Sequence, residues 1–182
     1  MDSTPQQVSR TVRTDAGLCA IWQTEYFTET GDPDDWDDWA SDDELLVQAI
    51  SAGALVPIGV GADGVFEVLI RWNFSGPGLT ERERRCVLVS SEPYLLASPG
   101  VIYVGGLEES GDLPGRDANR IELPRGLYSV VVNLIDWKAE PESVGKDGRP
   151  LEGALPDFVV EIRAEEETGK AYRAKSATFD RP

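Results

Sequence analysis

Hydrophobic and polar residues alternate along much of the chain after residue 54, which is typical of half-buried strands. In the clearest run, the large apolar side chains fall on one face of a strand: Phe66, Val68, Ile70 and Trp72. Further short apolar runs, bounded by glycine, proline or aspartate, occupy residues 84–90, 94–97, 101–104, 121–123, 127–137 and 158–164. Short strands separated by turns predict a mainly β fold, an antiparallel β-sandwich or open barrel.

One segment departs from this pattern and has apolar residues at helical spacing, namely Leu45, Leu46, Ala49 and Ile50. Ser41, followed three residues later by Glu44, forms a capping box, and Gly53 is placed to end the segment. The sequence therefore predicts one short capped α-helix near residues 42–52. An earlier apolar run, residues 17–28, predicts the first strand.

The chain has 182 residues, enough for one proper core and too few for two ordinary domains. Residues 1–15 are polar without periodicity, so we expect a flexible N-terminus followed by a single β-sandwich domain over residues 16–182. Two connections rich in glycine, proline and charge, residues 105–119 and 139–156, are expected to be irregular loops.

The cellular location is expected to be cytoplasmic. Residues 1–10 lack the apolar run of a secretory signal, and no segment approaches the roughly 20 apolar residues of a membrane span. The two cysteines, Cys19 and Cys86, lie inside apolar runs, which fits buried thiols in a reducing compartment better than a disulfide framework.

Charge narrows the choice of partners. Asp plus Glu number 33 against 17 Lys plus Arg, a formal net charge of -16. Such a chain repels the phosphates of nucleic acids and of anionic membranes, so neither is an expected partner. Residues 29–44, called the acidic segment below, contain nine acidic residues, no basic residue and two tryptophans. A basic protein is the partner that this charge favours.

Candidate chemistry is limited by the complete lack of histidine, which removes the usual general base and the Ser-His and Cys-His nucleophiles. Two cysteines more than 60 residues apart do not suggest a zinc site, and no phosphate-binding glycine-rich loop is present. We therefore predict no catalytic residues, no metal ligands and no cofactor. A carboxylate-dependent glycoside hydrolase stays as an alternative, because it needs only two suitably spaced acids.

The acidic segment itself has three interpretations. The first is a solvated charged loop, in which Trp39 folds back on Leu45 or Leu46 as a hydrophobic staple. The second is a calcium-binding or structural module of a bacterial assembly, although the order of Asp32, Asp34 and Trp36 does not follow an EF-hand loop. The third is a protein-binding surface with aromatic anchors among charges. Its predicted partner-binding residues are Asp34, Asp35, Trp36, Asp37, Asp38, Trp39, Asp42 and Asp43.

A family resemblance favours the third interpretation. It rests on SDDE at 41–44, IRWN at 70–73, ERR at 83–85, PGVI at 99–102 and LPRGLY at 123–128. In this order the residues resemble the competence-associated inhibitors of the bacterial DNA-entry nuclease, over about residues 36–137. The chain departs from that pattern by a longer N-terminus, an insertion at 111–118 and an additional part after residue 139. The resemblance implies a non-enzymatic, immunity-protein-like inhibitor of a basic nuclease or toxin, and it transfers no individual functional residue.

Overall fold

The fold is described from a computed structural model, which covers residues 5–30, 41–111, 119–166 and 169–180. In the part of the chain that the structure describes, strand residues outnumber helical residues by more than two to one, so the mainly β prediction is confirmed. The strands of the described residues are β1 (Gln6–Thr14), β2 (Leu18–Trp22), β3 (Leu55–Gly59), β4 (Gly64–Trp72), β5 (Val87–Ser90), β6 (Tyr94–Ser98), β7 (Val101–Gly106), β8 (Arg120–Glu122), β9 (Gly126–Ile135) and β10 (Phe158–Ala164).

These strands form two sheets that do not close into a barrel. The larger sheet has the order β1-β4-β10-β9-β5, with β6 also paired to β9, and the smaller sheet has the order β3-β2-β7-β8. The pairs are antiparallel except β4 with β10, which run parallel. The main core lies between the sheets, with Val68, Ile70 and Val160 from the larger sheet and Ile21 and Val104 from the smaller one.

The predicted helix is present as α2 (Asp43–Ser51), whose buried residues Leu46, Ala49 and Ile50 pack into the main core. Gly53 follows it with φ of +73°, a left-handed conformation that glycine adopts without strain. A Cβ atom at this position would also lie 3.0 Å from the backbone nitrogen of Ala97. Gly53 is therefore required both by the turn and by the close approach of β6.

Three stretches differ from the sequence prediction. Residues 6–14, expected in a flexible terminus, form β1, because Val8 and Val12 pack on the core while the strand pairs with β4 along its whole length. The run 17–28 is a strand only as far as Trp22, and α1 (Glu25–Thr30) follows. Residues 84–86, expected in a strand, belong to α3 (Glu81–Cys86), and β5 begins only at Val87.

The short helix α3 is stabilised by a buried ion pair and a capping box. The Glu83 carboxylate accepts hydrogen bonds from Arg71 Nη1 at 2.9 Å and from Arg71 Nη2 at 3.0 Å. Glu83 also accepts from the Thr80 backbone, while its own N–H donates to Thr80 Oγ1. Because the helix is tied to β4 through this pair, the local strand propensity of residues 84–86 does not decide their conformation.

The outer face of the larger sheet is covered by a second, smaller apolar cluster, made of Cys86, Ile135, Trp137, Leu155 and Val159. The connection between β9 and β10 supplies part of this cover through short 3-10 turns at Trp137–Ala139 and Pro141–Ser143. The expected irregular loop at 139–156 is thus held against the sheet.

The stretch 169–180 packs along β3 and β6 without forming a strand. Thr178 Oγ1 donates to the Pro57 carbonyl and accepts from the Gly59 N–H. The Arg173 guanidinium is buried and contacts Asp180, Glu92 and the Tyr94 hydroxyl. Within the described residues, no helix is long and apolar enough to cross a membrane.

Candidate functional site

The two helices α1 and α2 hold the acidic segment at its ends. Phe27 of α1 is buried in the main core, and the Tyr26 N–H donates to Gln23 Oε1 at 3.1 Å. The Gln23 N–H in turn donates to the Ala54 carbonyl at the far end of α2, also at 3.1 Å. The start of α1 and the end of α2 are therefore joined to the same core.

The first turn of α2 shows what the acids at its start do. Asp42 is the N-cap, because its Oδ1 accepts from Glu44 N at 2.9 Å and from Leu45 N at 3.2 Å. The sequence analysis predicted Ser41 as the cap, and this prediction is wrong by one residue. The Asp42 carboxylate accepts hydrogen bonds from the backbone N–H groups of both Glu44 and Leu45. Asp43 and Glu44 are exposed in the first turn, where the helix dipole favours negative charge.

The structure describes two of the eight predicted partner-binding residues and does not test their role. It places Asp42 and Asp43 side by side at the start of α2, and both are exposed. The other predicted residues, Asp34, Asp35, Trp36, Asp37, Asp38 and Trp39, lie outside the described residues, so their role stays a prediction. The predicted hydrophobic contact of Trp39 with Leu45 or Leu46 also involves an undescribed residue, so it stays a prediction.

A basic residue that the sequence analysis did not single out contacts the start of α1, the helix that precedes residues 31–40 in the sequence. Arg125 Nη2 is 3.6 Å from Glu25 Oε1 at the start of α1, and both side chains are exposed. The turn that carries Arg125 is closed by the Tyr128 hydroxyl, which donates to the Pro124 carbonyl at 2.8 Å. Because the two residues are 100 positions apart in the sequence, no local sequence pattern predicts this contact.

The Cys19 thiol is poorly suited to act as a nucleophile. Cys19 and Cys86 are buried and not bonded to each other. Burial, with a smaller effect of Glu108 and Glu109, raises the pKa of Cys19 to about 12. A thiol with this pKa is protonated at neutral pH and is a poor nucleophile or metal ligand.

The carboxylates with shifted pKa values do not suit a glycoside hydrolase, whose general acid needs a raised pKa. Burial raises the pKa of Glu83, but hydrogen bonds from Arg71 and Thr80 outweigh it and hold the pKa below its usual range. Hydrogen bonds from Arg82 lower the pKa of Glu140, and those from Arg173 lower that of Asp180. These carboxylates are structural ion-pair partners.

Metal binding has no candidate among the described residues, which contain no group of three or more acids or cysteines placed to hold an ion. The calcium interpretation of the acidic segment depends on residues 31–40, which lie outside the described part of the chain. It therefore stays a prediction.

Two cavities are lined by described residues. One, of about 350 Å³, opens on the outer face of the larger sheet between β4 and residues 150–157. The other, of about 820 Å³, is a broad groove between the start of β1 and the end of β8, with Trp72, Arg120 and Glu122 in its walls. Trp137 in the first cavity is 8% exposed, so it offers little aromatic surface on which a sugar ring could stack.

Comparison with known proteins gives the fold and little more. No protein-family model matches the chain, and no curated protein does. Among solved structures, one described as crocagin biosynthetic gene J is 16% identical, with a TM-score of 0.57 over 91% of this chain and 99% of that chain. At this identity the likeness shows a shared fold.

A second solved structure is ComJ from Bacillus subtilis, described as an inhibitor of the DNA degrading activity of NucA. It is 12% identical, with a TM-score of 0.45 over 91% of this chain and 98% of that chain. This is the kind of inhibitor that the sequence resembles, so the resemblance is found again, in weak form. Since the TM-score is below 0.5, no property of this chain is deduced from it.

Proposed function

We propose that this chain is a non-enzymatic binding protein that holds a basic protein, of the nuclease or toxin class, through the acidic segment. The observation that carries the proposal is the concentration of charge: residues 29–44 hold nine acidic residues, no basic residue and two tryptophans. More than half of the net charge of -16 is therefore placed in one stretch. The partner class comes from the sequence resemblance over residues 36–137.

Physical chemistry supports a role in protein binding. Clustered carboxylates attract a basic partner over several ångströms and speed its association, while aromatic side chains supply apolar contact area. A nuclease presents basic groups where the phosphates of its substrate bind, so carboxylates can occupy those positions. The helices α1 and α2 are packed on the core at both ends of the segment, which limits the entropy lost when the segment binds.

The first experiment is affinity capture from lysate of the native cell, with elution by increasing salt. We expect a basic protein that elutes as the salt concentration rises, because screening weakens attraction between exposed charges. The captured protein is then purified and its DNA-degrading activity is measured with and without this chain. A captured protein without nuclease or toxin activity would contradict the proposed partner class.

A charge-reversal variant tests the segment itself. Replacing Asp34, Asp35, Asp37 and Asp38 by lysine is expected to weaken partner binding about a hundredfold or more, because like charges then face each other. The matched control carries the same change in net charge at exposed acids elsewhere, as Asp63, Glu81, Glu142 and Glu166→Lys. We expect the control to lose less than about tenfold, through long-range attraction alone. Equal losses in the two variants would show that only the overall charge matters.

A further inference from the structure

The cavity of about 350 Å³ opens on the outer face of the larger sheet. Its described lining residues come from β1, from β4 and from the connection between β9 and β10. Its floor includes Glu67 and Leu69 of β4, and its cover is the stretch 150–157. The cover is fixed at both ends: Leu151 N donates to the Ser143 carbonyl at 2.9 Å, and Asp157 N donates to the Glu67 carbonyl at 3.0 Å. The cavity is thus a built feature of the fold.

The charge of this cavity is one-sided. Three carboxylates line it, those of Glu67, Glu152 and Asp157, and the described lining residues include no lysine or arginine. Glu152 is exposed at the mouth. Low-dielectric walls strengthen the field of such carboxylates, so the cavity favours a cation.

Asp157 is held in a fixed orientation inside the cavity. Its Oδ1 accepts from Trp137 Nε1 at 2.9 Å, and its Oδ2 accepts from the Glu67 N–H at 2.8 Å. Each carboxylate oxygen has two lone pairs, so each can accept a further hydrogen bond from a ligand. A preorganised carboxylate of this kind costs little entropy when a donor arrives.

The remaining walls are apolar and suit an alkyl stem. Leu69, Trp137 and Leu155 line the cavity, and its volume is near the lower end of the roughly 300–1,000 Å³ common for ligand sites. The Nζ atom of Lys138, which is not a lining residue, lies 5.4 Å from the centre of the Trp137 ring. The Trp137 ring thus already lies next to a cation.

We propose that this cavity binds an alkylguanidinium group, with the stem against Leu69 and Leu155 and the head between Glu152 and Asp157. A guanidinium fits better than an ammonium because it is planar, weakly hydrated and able to bond a carboxylate through two N–H groups. The group comes either from an arginine side chain in a protein or from a small alkylguanidine. The inference does not depend on the proposed function.

The test follows the indole N–H signal of Trp137 by nuclear magnetic resonance of the full chain, assigned with Trp137→Phe. Butylguanidinium is titrated at constant ionic strength, and butylurea serves as a neutral probe of similar shape. We expect butylguanidinium to shift the Trp137 signal to saturation and butylurea to leave it in place. Equal shifts by the two probes, or no saturable shift by either, would overturn the proposal.

Variants locate the charge that binds the probe. Glu152→Lys is expected to weaken butylguanidinium binding about tenfold or more, since it places a like charge at the mouth. Asp63→Lys, at an exposed acid outside the cavity, carries the same change in net charge and is expected to change affinity by less than about twofold. Unaltered binding in Glu152→Lys, with the remaining indole signals in their native positions, would exclude the cavity as the site.

Two further probes identify the source of the group. A short blocked peptide with a central arginine is compared with the same peptide carrying citrulline in its place. Tighter binding by the arginine peptide than by butylguanidinium supports a protein side chain as the ligand, whereas weaker binding supports a free alkylguanidine. Equal binding by the citrulline and arginine peptides would overturn the proposal for both sources.

Discussion

The buried ion pair between Arg71 and Glu83 yields the most direct prediction about stability. The two side chains are 9% and 4% exposed, and Glu83 also closes the capping box of α3. In Glu83→Gln, the amide keeps the shape of the side chain but leaves the Arg71 guanidinium buried without its counter-charge. Removing one partner of a buried pair costs about 3 to 5 kcal/mol, a large part of the roughly 5 to 15 kcal/mol that stabilises most domains.

The free energy of unfolding is measured by urea denaturation, followed by far-ultraviolet circular dichroism at pH 7. A loss of about 3 to 5 kcal/mol corresponds to a fall in Tm of about 6 to 20 °C for a chain of this size. Glu140→Gln is the control, because its ion pair with Arg82 has an exposed arginine, 44% accessible, and it should cost much less.

The pH dependence gives the same prediction a second readout. Burial raises the pKa of Glu83, but the hydrogen bonds from Arg71 and Thr80 outweigh it, so the folded-state pKa lies below the usual range. A lowered pKa contributes stability that is present above the unfolded-state pKa and is lost as pH falls through the folded-state value. The difference in the free energy of unfolding between wild type and Glu83→Gln should therefore become smaller as the pH falls. A loss below about 1 kcal/mol at pH 7, or a difference that widens in acid, would refute the reasoning.

Three further predictions concern the elements around the sites. Asp42→Ala is expected to lower the free energy of unfolding by about 1 kcal/mol, through loss of the N-cap of α2, and Ser41→Ala by less; equal effects in urea denaturation would contradict the assignment of the cap. Gly53→Ala is expected to destabilise the fold more than Gly61→Ala. Both glycines have φ near +74°, but a Cβ would contact other atoms at position 53 and none at position 61. A smaller fall in Tm for Gly53→Ala than for Gly61→Ala would exclude the close contact with Ala97. Hydrogen bonds from Arg173, then from Lys175, lower the pKa of Asp180 to about 2, so Asp180→Asn should lower Tm at pH 6 and have progressively less effect as the pH falls through about 2; an effect independent of pH would show that the ion pair is not formed.

Much of the fold follows from local pattern. The alternation of Phe66, Val68, Ile70 and Trp72 matches the core face of β4, since all four side chains pack into or against the main core. The spacing of Leu46, Ala49 and Ile50 likewise matches the buried face of α2. In both elements the apolar residues of the buried face recur often enough for the sequence to show the period of the strand or helix.

Other elements depend on contacts that are distant in sequence. The strand β1 has two apolar residues packed on the core, Val8 and Val12, and its pairing with β4 joins residues 50 or more positions apart. The parallel pairing of β4 with β10 is equally non-local. The helix α3 has a local capping signal, Thr80 followed by Glu83. The apolar run after Cys86 favours a strand, and the distant contact of Glu83 with Arg71 decides for the helix.

The helix that follows the acidic segment was predicted from the sequence, whereas the binding role of the segment stays a prediction. The sequence indicated an acidic segment leading into α2, and the structure places Asp42 and Asp43 at that helix start. The capping role of Asp42 was missed because Ser41 and Asp42 are both good caps, and only geometry distinguishes them. Arg125 was missed because its partner Glu25 lies on another element.

The most direct test of the proposed function is the rate of DNA degradation by the captured basic nuclease as this chain is titrated into the reaction. The account predicts inhibition that is complete near equal molar amounts, is relieved by salt and is lost when Asp34, Asp35, Asp37 and Asp38 are replaced by lysine. Full inhibition by that charge-reversed variant, with the same affinity as wild type, would contradict the claim that the acidic segment binds the partner.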